Sequence, residues 1–159
     1  MNNYVYELLQ YPAPASEWAT EYDLSERPDA FPVADHIGTV KDREAVIARF
    51  GAWLMEHRLG LLCGEGFVID AHAADRYFEG RYAAFQKAVS ALQELNEVQF
   101  IHDHDWVQAL IDNLAQAFTS KYGDYVLWDD DIPVPLEEFL RKAQPNTLYH
   151  FGAVFSYKH

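Results

Sequence analysis

The chain has 159 residues and a mass of 18.3 kDa, with 25 Asp and Glu against 12 Lys and Arg, a formal charge of -13 and a sequence pI of about 4.7. Half the residues are apolar and 15% are aromatic, which excludes a disordered chain and supports one domain with a real core. The acidic balance argues against a dedicated nucleic-acid or anionic-membrane binder, because both need Lys and Arg to neutralise phosphates.

Residues 3–9, Asn-Tyr-Val-Tyr-Glu-Leu-Leu, predict a first strand. Residues 11–38 carry Pro12, Pro14, Pro28 and Pro32 and read as an irregular segment with one turn near 17–21, wrapped on the body and pinned by Trp18, Tyr22 and Phe31. A helix is expected after Thr39, capped by its hydroxyl, with Asp42 three residues on and Val46, Phe50, Trp53 and Leu54 on one face. Gly60 is expected to stop it. Residues 59–70, split by Gly64-Glu65-Gly66, predict a hairpin.

A second helix is predicted over 75–96, with Phe78, Phe85, Val89 and Leu92 as its apolar stripe, and a third over 105–121, carrying Val107, Leu110, Ile111, Leu114 and Phe118. Residues 124–128 predict a short strand, 136–143 a short helix with Glu137 and Glu138 at its positive end, and 148–157 a long strand with Tyr149, Phe151, Ala153, Phe155 and Tyr157 on one face. This order implies a single α+β domain over 1–159, a mainly antiparallel sheet of about five strands packed by three to four helices.

The charge is unevenly placed. Residues 1–40 carry -6, 41–90 are neutral, 91–140 carry -10 with Lys121 as the one cation, and 141–159 carry +3. The single cysteine, Cys63, excludes an internal disulfide and a multi-cysteine zinc site and fits a reducing compartment. Its apolar setting suits a packed thiol. The first residues lack the pattern of a secretory signal, and no run approaches the ~20 apolar residues of a membrane helix, so a cytoplasmic protein is expected.

His102-Asp103-His104-Asp105 offers metal-ligating side chains, but consecutive side chains diverge and the stretch precedes a helix, so Asp103 or Asp105 is expected to act as an N-cap. In order, His72, His102-Asp103 and Asp124 resemble the ligand pattern of HD-type metal-dependent phosphohydrolases, which implies a metal-activated water. That family is all-helical, and this chain has strand signals. Asp129-Asp130-Asp131 with Glu137 and Glu138 fits no calcium loop and reads as an acidic turn or a docking patch. No nucleophile elbow and no phosphate-binding loop is present.

Trp106 and Trp128 each lie beside carboxylates in the most acidic segment, the composition of an interface for a basic protein. The leading expectation is therefore a cofactor-free inhibitor, not an enzyme, that blocks the active or nucleic-acid-binding surface of a basic partner, as bacterial immunity proteins and antitoxins do. A nuclease toxin or a nucleic-acid-binding effector would be such a partner. The expected contacts are Asp103, Asp105, Trp106, Asp112, Trp128, Asp129, Asp130, Asp131, Glu137 and Glu138. The alternatives are a phage- or plasmid-encoded DNA mimic directed at a restriction or CRISPR effector, disfavoured by the neutral 41–90 stretch, and a small metal-dependent hydrolase.

Overall fold

The computed structural model describes residues 3–25, 36–119, 123–128 and 132–158. They fall into two compact units, one drawn from 1–74 and 122–159 and the other from 75–121. The first holds strands β1 (Asn3–Leu9), β2 (His36–Thr39), β3 (Gly60–Cys63), β4 (Gly66–Ile69), β5 (Tyr125–Trp128), β6 (Val134–Pro135) and β7 (Leu148–Lys158), with helices α1 (Glu21–Ser25), α2 (Arg43–Glu56) and α6 (Leu136–Lys142). The second holds α4 (Glu97–His102), α5 (His104–Phe118) and nearly all of α3 (Ala73–Gln93).

The α+β expectation stands, with a correction to its counts. Among the described residues there are seven strands and six α-helices, and the additions β2, β6, α1 and α4 are each six residues or shorter, too short to show a period. The sheet order is β3-β4-β7-β1-β5-β6, antiparallel throughout except for the parallel pair β1–β5. β7 is its organiser. One edge pairs with β1, while the other is shared by β4 along 148–150 and β2 along 155–158.

A β-bulge at Gly152-Ala153 corrects the expectation of a single aromatic face on the last strand. Tyr6 pairs with Val154 and Leu8 with Phe151, so Glu7 alone faces two residues of β7. The extra residue inverts the alternation. Phe151 and Tyr149 therefore pack with Phe50 and Phe67 on the α2 side, Phe50 and Phe151 edge to face at 5.7 Å. Beyond the bulge, Ala153, Phe155 and Tyr157 join Val5, Leu24, Tyr125 and Leu127 on the opposite side, where Trp18 and Ala19 of the Pro-rich segment cover them. Each such large apolar side chain contributes about 1.5–3 kcal/mol on burial.

α2 starts one turn later than the Thr39 cap predicts. Asp42 is the N-cap, accepting from the Ala45 N–H at 2.9 Å, while Thr39 ends β2 and turns its hydroxyl to donate to Glu21 at 2.6 Å. Its stop is also different. Arg58, at φ 55°, takes the left-handed position, with Arg58 N–H donating to Met55 and Leu59 N–H to Leu54 in a Schellman arrangement, so Gly60 is free to open β3. The hairpin β3–β4 turns at Gly64-Glu65, Gly64 at φ 61°, as its glycines imply. Cys63 is half-buried on β3.

In the helical unit, Asn96 and Gln99 form a capping box at the start of α4. Among the described residues of 75–119, Leu110 is the one buried side chain; the α3 stripe Phe78, Phe85, Val89 and Leu92 is half-buried. No helix among the described residues is long and apolar enough to cross a membrane.

Candidate functional site

The expected contact residues divide between the two units. Asp103, Asp105, Trp106 and Asp112 lie at the start and middle of α5, all four exposed, Trp106 at 51%. Asp103 closes α4 and caps α5, accepting from the Trp106 N–H at 3.2 Å, and Asp112 accepts from Gln108 at 3.0 Å. A single residue therefore ends one helix and begins the next, which is why the His102-Asp103-His104-Asp105 run bends there. Next to it, Val98, Phe100 and Ile101 of α4 are exposed, Phe100 at 66%, as are Ile111 and Phe118 of α5.

Over 88–119 the sequence holds five carboxylates, Glu94, Glu97, Asp103, Asp105 and Asp112, and no Lys or Arg. All five are exposed. Among the described residues of the helical unit the Lys and Arg side chains, Arg76, Arg81 and Lys87, all lie on α3.

The other expected contacts sit in the sheet unit. Trp128 ends β5 half-buried, edge-on to Tyr149 with ring centroids 4.9 Å apart. Glu137 and Glu138 occupy the first turn of α6, where Glu138 pairs with Lys142 at 2.7 Å and is thereby held below the usual carboxylate range. Asp129, Asp130 and Asp131 lie outside the described residues. Among the described residues, no three His, Cys, Asp or Glu side chains converge as metal ligands would. Of the HD-like set, His102 and Asp103 belong to the helical unit and His72 and Asp124 to the sheet unit.

Sequence reasoning missed a polar cluster beneath the bulge. Glu7, 2% exposed, accepts the Ala153 N–H at 2.7 Å and the Ala19 N–H at 2.9 Å, so it ties the Pro-rich segment to β7. Where the outer edge of β7 passes from β4 to β2, Arg43 donates to the Phe151 and Gly152 carbonyls, each at 2.9 Å, and stacks its guanidinium 4.3 Å over Trp18. Burial lowers the Arg43 pKa, opposed by Glu65, Glu44 and Glu7. Beside this clasp runs an open groove of about 620 Å³, walled by Trp18, Ala19, Tyr22, Val40, Arg43 and Phe155.

Both oxygens of Glu7 and the fork of Arg43 are thus engaged with backbone, which is the work of a brace and leaves neither poised for chemistry. The available signal was a lone carboxylate inside the strand Tyr4-Val5-Tyr6-Glu7-Leu8-Leu9. Asp124 is a second such brace. It accepts from the Tyr4 N–H at 2.9 Å and the Tyr6 hydroxyl at 3.4 Å; burial raises its pKa, and burial together with Asp124 raises that of Tyr6.

Comparison with protein-family models, with curated proteins and with solved structures returns no match.

Proposed function

We propose that this chain is an acidic binding protein that neutralises a basic partner protein by covering its active or nucleic-acid-binding surface, in the manner of immunity proteins and antitoxins. The observation that carries the proposal is the α4–α5 surface, where exposed Trp106 and its apolar neighbours share a stretch of five exposed carboxylates with no Lys or Arg. The carboxylates steer a cationic partner and can raise association rates by about 10–10³-fold. Trp106 then supplies the large, rigid contact area typical of interface anchors. Once the partner's Lys and Arg face these carboxylates they are no longer available to phosphates, so inhibition needs no reaction.

The test is affinity capture at about 50 mM salt, with the wild-type chain and with Glu94→Lys, Asp105→Lys and Asp112→Lys combined as baits. A basic protein retained by wild type, released by about 0.5 M salt, lost by the variant and stoichiometrically inhibited by the wild-type chain supports the proposal. Recovery of no basic protein, or of a complex indifferent to salt, overturns it. A nuclease toxin encoded beside this chain would be the first partner to assay.

A further inference from the structure

We propose that this chain forms a two-fold dimer in which β3 pairs antiparallel with β3 of a second copy, joining the two sheets into one. The contact is independent of the acidic α4–α5 surface. Among the described residues, the strand order ends at β6 on one side and at β3 on the other, and the two ends are built differently. β6 is two residues long and carries Pro135, which has no N–H to offer another strand. β3, Gly60-Leu61-Leu62-Cys63, has no proline and no charge, and it pairs with β4 without a bulge over all four residues. Such an edge is a template for a further strand.

The outward backbone groups can be identified. The Leu59 C=O accepts from the Asp70 N–H at 2.8 Å, and Cys63 closes the two-residue turn opposite Gly66, so Leu59, Leu61 and Cys63 bond towards β4. Gly60 and Leu62 therefore turn their N–H and C=O away from the sheet. Leu62 packs on Gly51 of α2, which puts the Leu61 side chain on the opposite face. There Leu61 stands opposite Val68, and Val68 opposite Leu148, in an apolar row that runs out to the edge, with Leu61 54% and Leu148 38% exposed.

A second copy is the occupant that completes this row. When Gly60 of each chain lies opposite Leu62 of the other, these pairs exchange their N–H···O=C bonds and Leu61 meets Leu61 at the two-fold axis. The row Leu148-Val68-Leu61 then continues into the same three side chains of the second copy, whereas an unrelated strand would supply the bonds and leave the row open. Charge favours the same place. Two chains of -13 repel, but residues 59–64 carry no charge, 41–90 are neutral, and this register carries Glu65 of each chain towards His57 and Arg58 of the other.

Sedimentation equilibrium of the whole chain between about 1 and about 300 µM should show the mass rise from 18.3 kDa to twice that value. Leu61→Lys, at an exposed position, sets like charges together at the axis and should weaken the dimer at least about tenfold. Leu61→Cys combined with Cys63→Ser tests the register. Cα atoms of a non-hydrogen-bonded pair lie about 4.5 Å apart, within disulfide reach, so the thiol oxidant diamide should cross-link this chain at least about tenfold faster than one with Glu17→Cys and Cys63→Ser, whose cysteine is exposed away from the edge. A chain that stays at 18.3 kDa throughout overturns the proposal. So does a dimer indifferent to Leu61→Lys, or a Leu61→Cys chain that cross-links no faster than the control.

Discussion

Replacing Glu7 by Gln changes one atom and removes one charge at the centre of the sheet. In the native chain, both carboxylate oxygens accept a backbone N–H, from Ala19 at 2.9 Å and Ala153 at 2.7 Å, in a position 2% exposed. A glutamine has one acceptor oxygen, so its NH2 must point at one of these two donors. One charge-assisted bond disappears with its N–H left unsatisfied, and the other becomes neutral, for a loss of about 2–4 kcal/mol. For a protein of this size, that lowers the thermal midpoint by roughly 5–15 °C. Calorimetric unfolding checks the midpoint, and faster exchange at the Ala19 and Ala153 amides checks the mechanism. Glu17→Gln, at an exposed position, should move the midpoint by less than about 2 °C. An unchanged midpoint in Glu7→Gln would mean that desolvation of the buried charge cancels its hydrogen bonds, and that the carboxylate is not what holds the bulge and the Pro-rich segment together.

Other predictions follow from the same geometry. Gly152→Ala would place a Cβ 2.6 Å from Cδ and 2.9 Å from Cγ of Glu7, and denaturant unfolding should show a loss of about 2–4 kcal/mol, as large as removing the brace itself. Gly64→Ala puts a Cβ on a left-handed residue with open space around it and should lower stability by about 1 kcal/mol by denaturant midpoint; an unchanged midpoint would show that the turn between β3 and β4 does not depend on its glycine. Burial holds the folded pKa of Asp124 above its ordinary 3.8, so the folded state binds the proton more tightly. The contribution of Asp124 to stability is fully present below pH 3.8 and falls as pH rises from there through the folded pKa; Asp124→Asn should remove that component from a stability-versus-pH curve, and an unaltered curve would refute it.

Much of the fold was legible because its longer elements have strong periods. The stripes of α2, α3 and α5, the glycine turn of β3–β4 and the apolar run of β1 each identify themselves from side-chain spacing. The last strand was legible as a strand and misleading as to its faces, because a bulge is set by Glu7, more than 140 residues away in sequence, and leaves no local signature beyond a glycine. The Thr39 cap failed for a related reason. Thr39 and Asp42 are both good caps, and pairing of residues 36–39 with β7 decided between them. At the candidate site, the charge block and Trp106 were visible in the composition of 91–140. The exposure of α4 was not, since a six-residue helix with Val98, Phe100 and Ile101 reads as core until its neighbours are placed.

The central claim is that an acidic, partly apolar surface on α4–α5 captures a basic protein. The most direct measurement is the association rate of the captured partner, against ionic strength, with the wild-type chain and with Glu94→Lys, Asp105→Lys and Asp112→Lys combined. The wild-type rate should fall at least about tenfold between low and high salt, and the variant should associate at least about tenfold more slowly at low salt, with a smaller change in dissociation. Equal association rates for the two chains, or a wild-type rate indifferent to salt, would contradict the claim.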